Sequence, residues 1–172
     1  QALLRNPLAT PFTLGVSAGA ALGAMLAITF GVEVALGPLP GVPLASFVGA
    51  LGAVGVVYGL ASARQRGLST TVLLLAGVTL NSFFSALILF VQYSADFSQT
   101  FRTVRWLMGD LDVGGYGPIL ATLPFAGVSS AAFATLPRSL NILTLGPDAA
   151  LSRGIDAAGA QRLAFFSASL AT

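Results

Sequence analysis

Ionised side chains divide the chain into four long stretches that contain none, residues 6–32, 34–63, 67–95 and 113–137. Each stretch is long enough for a helix of about 20 apolar residues, which crosses roughly 30 Å of hydrocarbon. The pattern predicts four full membrane helices, at about Phe12 to Val32, Leu44 to Ala61, Val72 to Val91 and Tyr116 to Leu136. A fifth, truncated helix is predicted to begin near Leu163. The predicted fold is therefore an all-α, polytopic transmembrane helical bundle.

Glycines recur at helical spacing in the first two predicted helices. They are Gly15, Gly19 and Gly23 in the first helix, and Gly49, Gly52, Gly55 and Gly59 in the second. In lipid, small residues let the backbone of a neighbouring helix approach closely, and van der Waals contact then drives association. We therefore expect both helices to pack tightly within the bundle.

The third predicted helix carries one polar stripe on a surface otherwise rich in leucine and phenylalanine. Gly77, Asn81 and Ser85 fall at i, i+4 and i+8 and so share a face. An amide that faces lipid is costly. The stripe therefore either contacts a neighbouring helix or lines a wet translocation pathway, and the residues alone leave both interpretations open.

Two connecting segments are polar. Residues 94–115 are predicted to be a polar connection in which Trp106 stands where aromatic belts lie. Residues 137–162 form the most polar long stretch, and the order of Asp148 and Arg153 within it favours a short helix. Between these segments, we expect Pro124 to kink the fourth membrane helix.

Arginine placement orients the predicted crossings. If the crossings alternate, six arginines fall on one side, and two arginines with four acidic residues fall on the other. The first side holds Arg5, Arg64, Arg66, Arg138, Arg153 and Arg162; the second holds Arg102, Arg105, Glu33, Asp96, Asp110 and Asp112. Because cytoplasmic loops carry an excess of basic residues, the six-arginine side is predicted to be cytoplasmic.

The composition narrows the range of possible chemistry. Only 8 % of the 172 residues are charged, against about 25 % in soluble domains. A net charge of +2 makes no basic patch for nucleic acid. The sequence contains no lysine, histidine or cysteine, which excludes a Walker-type phosphate loop, a histidine base, a thiol nucleophile and the usual zinc sites. We therefore expect no catalytic residues, cofactor or resident metal.

Four motifs occur in order along the chain: "RNPLATPFTLGVSAGAALG" (5–23), "LSTTVLLLAGVTLNSFFSA" (68–86), "WLMGDL" (106–111) and "LNILTLGPDAALSRGI" (140–155). Together they resemble the FecCD family, the membrane permeases of ABC importers for iron-siderophores, haem and cobalamin. The resemblance implies that residues 1–172 are part of a single transmembrane permease domain. They would form about half of a ten-helix permease, from the end of its second helix to the start of its seventh.

The resemblance also implies roles for particular residues. It places Asn6, Leu8, Ser69 and Thr70 at a cytoplasmic gate, where ordinary capping and turn chemistry is the alternative. It favours pathway lining by Asn81 and Ser85, with Gly77 on the same stripe. It makes residues 137–162 a cytoplasmic segment that couples the permease to its ATPase subunits. The candidate coupling residues are Leu145, Gly146, Asp148, Ala149, Leu151, Arg153 and Gly154.

The function implied by the resemblance is that of a multi-pass permease subunit in the bacterial inner (cytoplasmic) membrane, which imports a metal chelate. Family frequency favours an iron-siderophore, with haem or cobalamin as alternatives. The implied partners are a second permease subunit in a homo- or heterodimer, two ATP-binding ATPase subunits, and a periplasmic or lipoprotein substrate-binding protein, with lipid around the helices and no nucleic acid. An ion-coupled secondary transporter is a further alternative, although such carriers usually need an embedded ionisable group, and the interiors of the four predicted helices hold none. A purely structural membrane subunit is the remaining one.

Overall fold

The structure is a computed structural model that describes residues 14–32, 41–62, 70–109, 116–144, 150 and 152–171. These residues contain helices and no strand, which confirms the predicted all-α class. Seven helices lie in the described ranges: α1 (Val16–Thr29), α2 (Gly41–Ser62), α3 (Thr70–Ser94), α4 (Phe97–Met108), α5 (Gly117–Thr135), α6 (Pro137–Leu143) and α7 (Ala157–Ala171).

Two of these helices, α2 and α3, are each long and apolar enough to cross a membrane. Helices α5 and α6 reach the same length together, but they are bent by 59° relative to one another. This bend falls at Leu136, where Pro137 begins α6, because a proline removes an N–H and its ring clashes with the preceding turn. The kink predicted from the sequence is at Pro124, which lies inside α5; that kink stays a prediction.

Helix α1 covers 14 residues and is shorter at both ends than the predicted span from Phe12 to Val32. Gly15, which precedes it, has a φ of 76°, a left-handed conformation that does not continue a right-handed helix. At the other end, Gly31 has a φ of 62° and the Val32 N–H donates to the Ala27 carbonyl at 2.9 Å. These are the features of a Schellman motif, which ends the helix.

The largest contact between described helices is that of α1 with α2, and it is made through small residues. A Cβ built on Gly19 would lie 2.6 Å from the Gly49 carbonyl oxygen and 2.7 Å from the Ala53 Cβ. A Cβ on Gly23 would collide with the Ala45 carbonyl. The predicted tight packing is confirmed at these positions, where the backbones of the two helices touch.

The remaining glycines of the second predicted helix behave differently. A Cβ built on any of three of them would meet nothing within 4 Å among the described residues. These three are Gly52, Gly55 and Gly59. The expectation of tight packing is therefore wrong for them in this part of the chain, because no described helix covers the faces of α2 on which they lie.

An apolar core forms where α1, α2, α3 and α7 meet. Its buried members are Leu14, Val16, Val54, Val57, Ala61, Leu73 and Phe165. The ring of Phe165 stacks on that of Tyr58, with 6.3 Å between the ring centroids. This contact joins α7, late in the sequence, to α2, so the described helices enclose one common core.

Helix α7 begins at Ala157, six residues before the predicted start near Leu163. The Asp156 carboxylate accepts a hydrogen bond from the Gly159 N–H at 3.0 Å, as an N-cap residue does. The sequence prediction began the helix only where its apolar run begins, and it therefore missed this polar first turn.

Residues 94–115, predicted as a polar connection, contain helix α4. The Asp96 carboxylate accepts from the Gln99 N–H at 2.8 Å, and the Gln99 side-chain oxygen accepts from the Asp96 N–H at 3.0 Å. This pair is a capping box, which satisfies two backbone donors at the start of a helix. Asp-x-x-Gln is the signal in the sequence that could have revealed α4.

Candidate translocation and coupling sites

The polar stripe of α3 starts at a helix contact. Gly77 is buried, and a Cβ built on Gly15 would lie 3.3 Å from the Gly77 carbonyl oxygen and 3.7 Å from the Asn81 backbone nitrogen. The start of α1 therefore rests on α3 along the Gly77 end of the stripe. At this end, the geometry favours the helix-contact interpretation over the pathway interpretation.

The same stripe becomes more exposed along α3. Asn81 is half-buried, and its side-chain oxygen Oδ1 is buried without a hydrogen-bond partner. Ser85, one turn on, is exposed, and its hydroxyl donates to the Asn81 carbonyl at 2.8 Å. Leaving a buried acceptor unsatisfied costs about 1–3 kcal/mol, and such a group calls for an explanation such as water or a partner. Asn81 is thus the member of the stripe with unused hydrogen-bonding capacity.

Much of α3 beyond the stripe is uncovered by the described residues. Its exposed large side chains include Leu75, Val78, Phe83, Leu89, Phe90 and Tyr93. Only 17 % of its most apolar stretch of 18 residues is buried. An apolar helix with this much free surface is suited to contact lipid or further protein rather than water.

Helix α4 follows α3 and is hydrogen-bonded to the C-terminal end of α1. The Gln99 side-chain amide donates to the Thr29 carbonyl, near the end of α1, at 3.1 Å. Helix α4 carries Arg102 and Arg105, so both arginines lie on the helix that is attached to this end of α1. The geometry agrees with the alternating topology, which put these arginines on the same side as Glu33.

The charged group at the start of α4 is stabilised in its ionised form. The Gln99 N–H and the Ser98 hydroxyl donate to the Asp96 carboxylate and hold the pKa of Asp96 below its usual range, with a smaller contribution from Arg102. Hydrogen bonds to a carboxylate favour the charged form. The cap of α4 is therefore ionised at neutral pH.

An open apolar cavity of about 410 Å³ lies between α1, α2, α4 and α7. Val16 and Ala20 of α1, Phe47 of α2, Trp106 of α4 and Phe166 of α7 are among its lining residues. Trp106, predicted from its position to belong to an aromatic belt, is half-buried and lines this cavity.

The candidate gate falls almost entirely outside the described residues. Asn6, Leu8 and Ser69 lie outside them, and Thr70 is the first residue of α3. The backbone of Thr70 thus belongs to the helix that carries the polar stripe. The gate assignment stays a prediction.

The candidate coupling residues lie partly within the described ranges. Leu145, Gly146, Asp148, Ala149 and Leu151 lie outside them. Arg153 and Gly154 are exposed, and Gly154 has a φ of 71°. The N–H groups of Arg153 and Ile155 donate to the carbonyl of Ala150, at 3.2 and 3.0 Å.

This geometry is that of a helix C-terminus closed by a left-handed glycine. Ala150 is helical and completely buried. A short helix was predicted for this segment, and the structure describes helical Ala150 and the turn at residues 152–154 that follows it. Leu143 at the end of α6 is also buried, so the polar segment is anchored to the bundle by apolar residues on both sides of residues 145–149.

A contact that the sequence did not suggest joins α5 to α7. The hydroxyl of Ser129, which is buried, donates to the Ser167 carbonyl at 2.9 Å. Ser129 is one small polar residue in an apolar helix, and periodicity alone does not distinguish it from its exposed neighbour Ser130.

A protein-family comparison matches the model of the FecCD transport family to residues 1–172. The chain belongs to the FecCD family. This match confirms the family resemblance noted in the sequence, and the apolar helices make the chain a multi-pass membrane segment.

Relatives of this FecCD chain serve different cargoes. The chain is 35 % identical to the cobalamin import permease BtuC of Halobacterium salinarum, over 100 % of the chain and 45 % of that protein. It is 32 % identical to the molybdate import permease MolB of Haemophilus influenzae, over 96 % of the chain and 48 % of the relative. It is 33 % identical to a probable iron chelatin permease of Helicobacter pylori, over 91 % of the chain and 45 % of that protein. The chain thus spans about half the length of the curated relatives it matches.

A solved structure shares the fold of this FecCD chain. It is an inward-facing conformation of a metal-chelate type ABC transporter, which superimposes with a TM-score of 0.83 at 29 % sequence identity. The match covers 99 % of this chain and 53 % of the other. The helix order described above is therefore that of a segment of an ABC permease.

Proposed function

We propose that this FecCD chain forms part of the translocation pathway of an ABC importer for a metal chelate, most specifically an iron-siderophore. The observation that carries the proposal is the fold match over 99 % of the chain to a metal-chelate type transporter. In this proposal the chain performs no bond chemistry, and ATP hydrolysis belongs to two separate ATPase subunits.

The choice of cargo rests on the relatives. Cobalamin and iron chelatin, named for two of them, are both bulky metal chelates, whereas molybdate is a small oxyanion. The polar groups of the α3 stripe are uncharged, which suits a large ligand better than a compact anion that needs cationic partners. Haem and cobalamin remain the alternatives to a siderophore.

In this proposal the polar stripe of α3 contributes to the pathway. The unpartnered Asn81 Oδ1 and the exposed Ser85 support it, since a passing ligand or its water shell can satisfy both. Gly15 lets the start of α1 approach the Gly77 end of the stripe closely. The proposed cytoplasmic gate consists of Asn6, Leu8, Ser69 and Thr70.

The proposed coupling surface contacts the ATPase subunits and moves when they close. It comprises Leu145, Gly146, Asp148, Ala149, Leu151, Arg153 and Gly154. The exposure of Arg153 and Gly154, next to the completely buried Ala150, supports it: the segment presents a free surface while staying attached to the bundle. A contact fixed to the bundle in this way transmits force to α5 and α7.

The proposed assembly contains a second permease subunit, identical or related, and a periplasmic or lipoprotein substrate-binding protein, in the bacterial inner membrane. The binding protein would approach the side that carries α4, opposite the arginine-rich cytoplasmic side. This orientation supports delivery of cargo to the outer end and ATPase contact at residues 137–162.

The test of cargo is uptake of labelled ferric siderophores, haem and cobalamin by cells with and without the full-length gene. We expect gene-dependent uptake of a ferric siderophore. Gene-dependent uptake of only haem or cobalamin would correct the cargo, and gene-dependent uptake of none of the three would refute the metal-chelate proposal.

The test of coupling is Ala149→Asp or Leu151→Asp in transporter reconstituted into vesicles. We expect normal insertion and ATP hydrolysis that no longer drives uptake. Ser62→Asp at the end of α2, exposed and outside residues 137–162, is the matched control and should transport normally. Normal transport by both Ala149→Asp and Leu151→Asp would contradict the coupling assignment.

A further inference from the structure

Helix α4 follows α3 in the chain but packs against α1. Gln99, Thr103 and Trp106 lie at i, i+4 and i+7 and therefore share one face of α4. Gln99 bonds to the end of α1, Thr103 is only 2 % exposed, and Trp106 lines the same cavity as Val16. One face of α4 thus makes its contacts with the bundle.

The opposite face of α4 is free among the described residues. Phe97 is 88 % exposed and Met108 is 82 % exposed, and Phe101 between them is exposed as well. Among the described residues, the position of α4 therefore depends mainly on the Gln99 face.

Gln99 uses both ends of its amide. Its oxygen closes the capping box with the Asp96 N–H at 3.0 Å, and its nitrogen donates to the Thr29 carbonyl at 3.1 Å. The last four carbonyls of a helix lack intrahelical partners, and Thr29 carries one of them. A single side chain therefore completes the start of α4 and the end of α1.

The link between α3 and α4 is short and non-helical. Helix α3 ends at Ser94, and the Ala95 N–H makes a last bond to the Gln92 carbonyl at 3.2 Å. Asp96 has extended dihedral angles, with φ −76° and ψ 171°. Two residues at the end of an element are enough to absorb a hinge rotation.

We propose that Gln99 is a positioning residue that tethers α4 to α1, so that α4 moves with α1 and hinges against α3 at residues 95–96. The tether would determine the position of α4 at the outer end during alternating access. In this respect the proposal deepens the proposed transport function and rests on it. The tether itself is a structural claim that can be measured separately.

The test compares two variants of the full-length permease, assembled with its partner subunits and reconstituted into lipid vesicles, in which both label distances and uptake can be measured. Gln99→Glu keeps an oxygen acceptor for the Asp96 N–H but has no N–H to donate to Thr29. Asp96→Ala removes the N-cap acceptor but leaves the Gln99 amide intact. Spin labels at the exposed positions Phe30 and Phe101, each changed to cysteine, report the distance between α1 and α4; the described segment has no native cysteine to interfere.

We expect Gln99→Glu to broaden the distance distribution between the labels and to reduce siderophore uptake about fivefold, the factor for one net hydrogen bond of about 1 kcal/mol. The melting temperature should fall only slightly, and basal ATP hydrolysis should stay unchanged. Asp96→Ala should keep the narrow distribution and near-normal uptake.

An unchanged distribution in Gln99→Glu, or equal broadening in Asp96→Ala, would overturn the tether. Broadening with unchanged uptake would overturn the positioning role. If the wild-type permease took up none of the tested chelates, the proposed function would fail instead, and the label distances would still decide whether the tether exists.

Discussion

Helix α1 is held on two sides by contacts of opposite kinds. Against α2 it presents Gly19 and Gly23, and the two backbones touch at these glycines. Against α4 it presents the Thr29 carbonyl, reached by the long Gln99 side chain. Within lipid, close packing and hydrogen bonds replace the hydrophobic effect as the forces between helices. Helix α1 packs closely against α2 and accepts a hydrogen bond from α4.

The two contacts differ in what they allow. A backbone-to-backbone contact has no rotamer to change, so α1 and α2 are expected to move as one body. A contact through one amide can break and re-form at a cost of about 1 kcal/mol. The comparison teaches that a glycine-lined contact suits a fixed scaffold and that a single polar side chain suits a helix that shifts.

The largest expected effect comes from adding a methyl group to the backbone contact. Gly19→Ala places a Cβ 2.6 Å from the Gly49 carbonyl oxygen, and overpacking of this kind costs about 1–3 kcal/mol or more. Gly55→Ala, on the open face of α2, is the matched control and should be neutral or stabilising by up to about 1 kcal/mol. Thermal unfolding in detergent measures both. Equal melting temperatures for the two variants would refute the scaffold contact.

A smaller effect is expected where α1 meets α3. Gly15→Ala and Gly31→Ala both force alanine into a left-handed conformation, at about 1–2 kcal/mol. Only at Gly15 does the new Cβ also approach a carbonyl, that of Gly77 at 3.3 Å, whereas Gly31 has open space. We therefore expect a lower melting temperature for Gly15→Ala than for Gly31→Ala. The reverse order would argue against the contact of α1 with the polar stripe.

A contact made by one side chain should be weaker again. Ser129→Ala removes the buried hydrogen bond to the Ser167 carbonyl, and such bonds in membrane proteins average about 0.6 kcal/mol. Ser130→Ala, exposed on the same helix, is the control. We expect a small drop in melting temperature for Ser129→Ala alone. A loss as large as that of Gly19→Ala would erase the distinction between the two kinds of contact.

The smallest effect is a pH dependence confined to α4. Because hydrogen bonds from Gln99 and Ser98 lower the pKa of Asp96, its carboxylate stabilises α4 at pH values above the usual aspartate pKa of about 4. That contribution is lost as the pH falls through the lowered pKa of the folded state. Amide exchange in residues 97–100, corrected for its intrinsic pH dependence, should therefore be less protected at pH 3 than at pH 6. Asp96→Asn should abolish the difference, and a variant that retained it would exclude Asp96 as its source.

Most of the local structure could be predicted from the sequence. The stretches without ionised side chains correctly predicted α2 and α3, because a membrane helix needs an uninterrupted apolar run. Helix α4 was missed although Asp96 and Gln99 have capping-box spacing, because the prediction followed apolar runs and α4 lies in a polar segment. The start of α7 was misplaced for the same reason, since Asp156 caps a polar first turn.

The candidate site was predicted less completely. Periodicity correctly put Gly77, Asn81 and Ser85 on one face of a helix. It did not show that α1 covers the Gly77 end and leaves Ser85 exposed, because a period describes one helix and not the neighbour that packs on it. The bond from Gln99 to Thr29 joins residues 70 positions apart, and no local pattern encodes it.

The sequence by itself determined that this chain is a helical membrane permease segment of the FecCD family, since apolar length, arginine placement and motif order are properties of the chain alone. Only the tertiary structure decided that Gly19, Gly23 and Gly49 touch a neighbouring backbone while Gly52, Gly55 and Gly59 touch none among the described residues. The physical reason is that all these glycines have the same freedom to be approached closely, and which of them is approached depends on where the neighbouring helix lies.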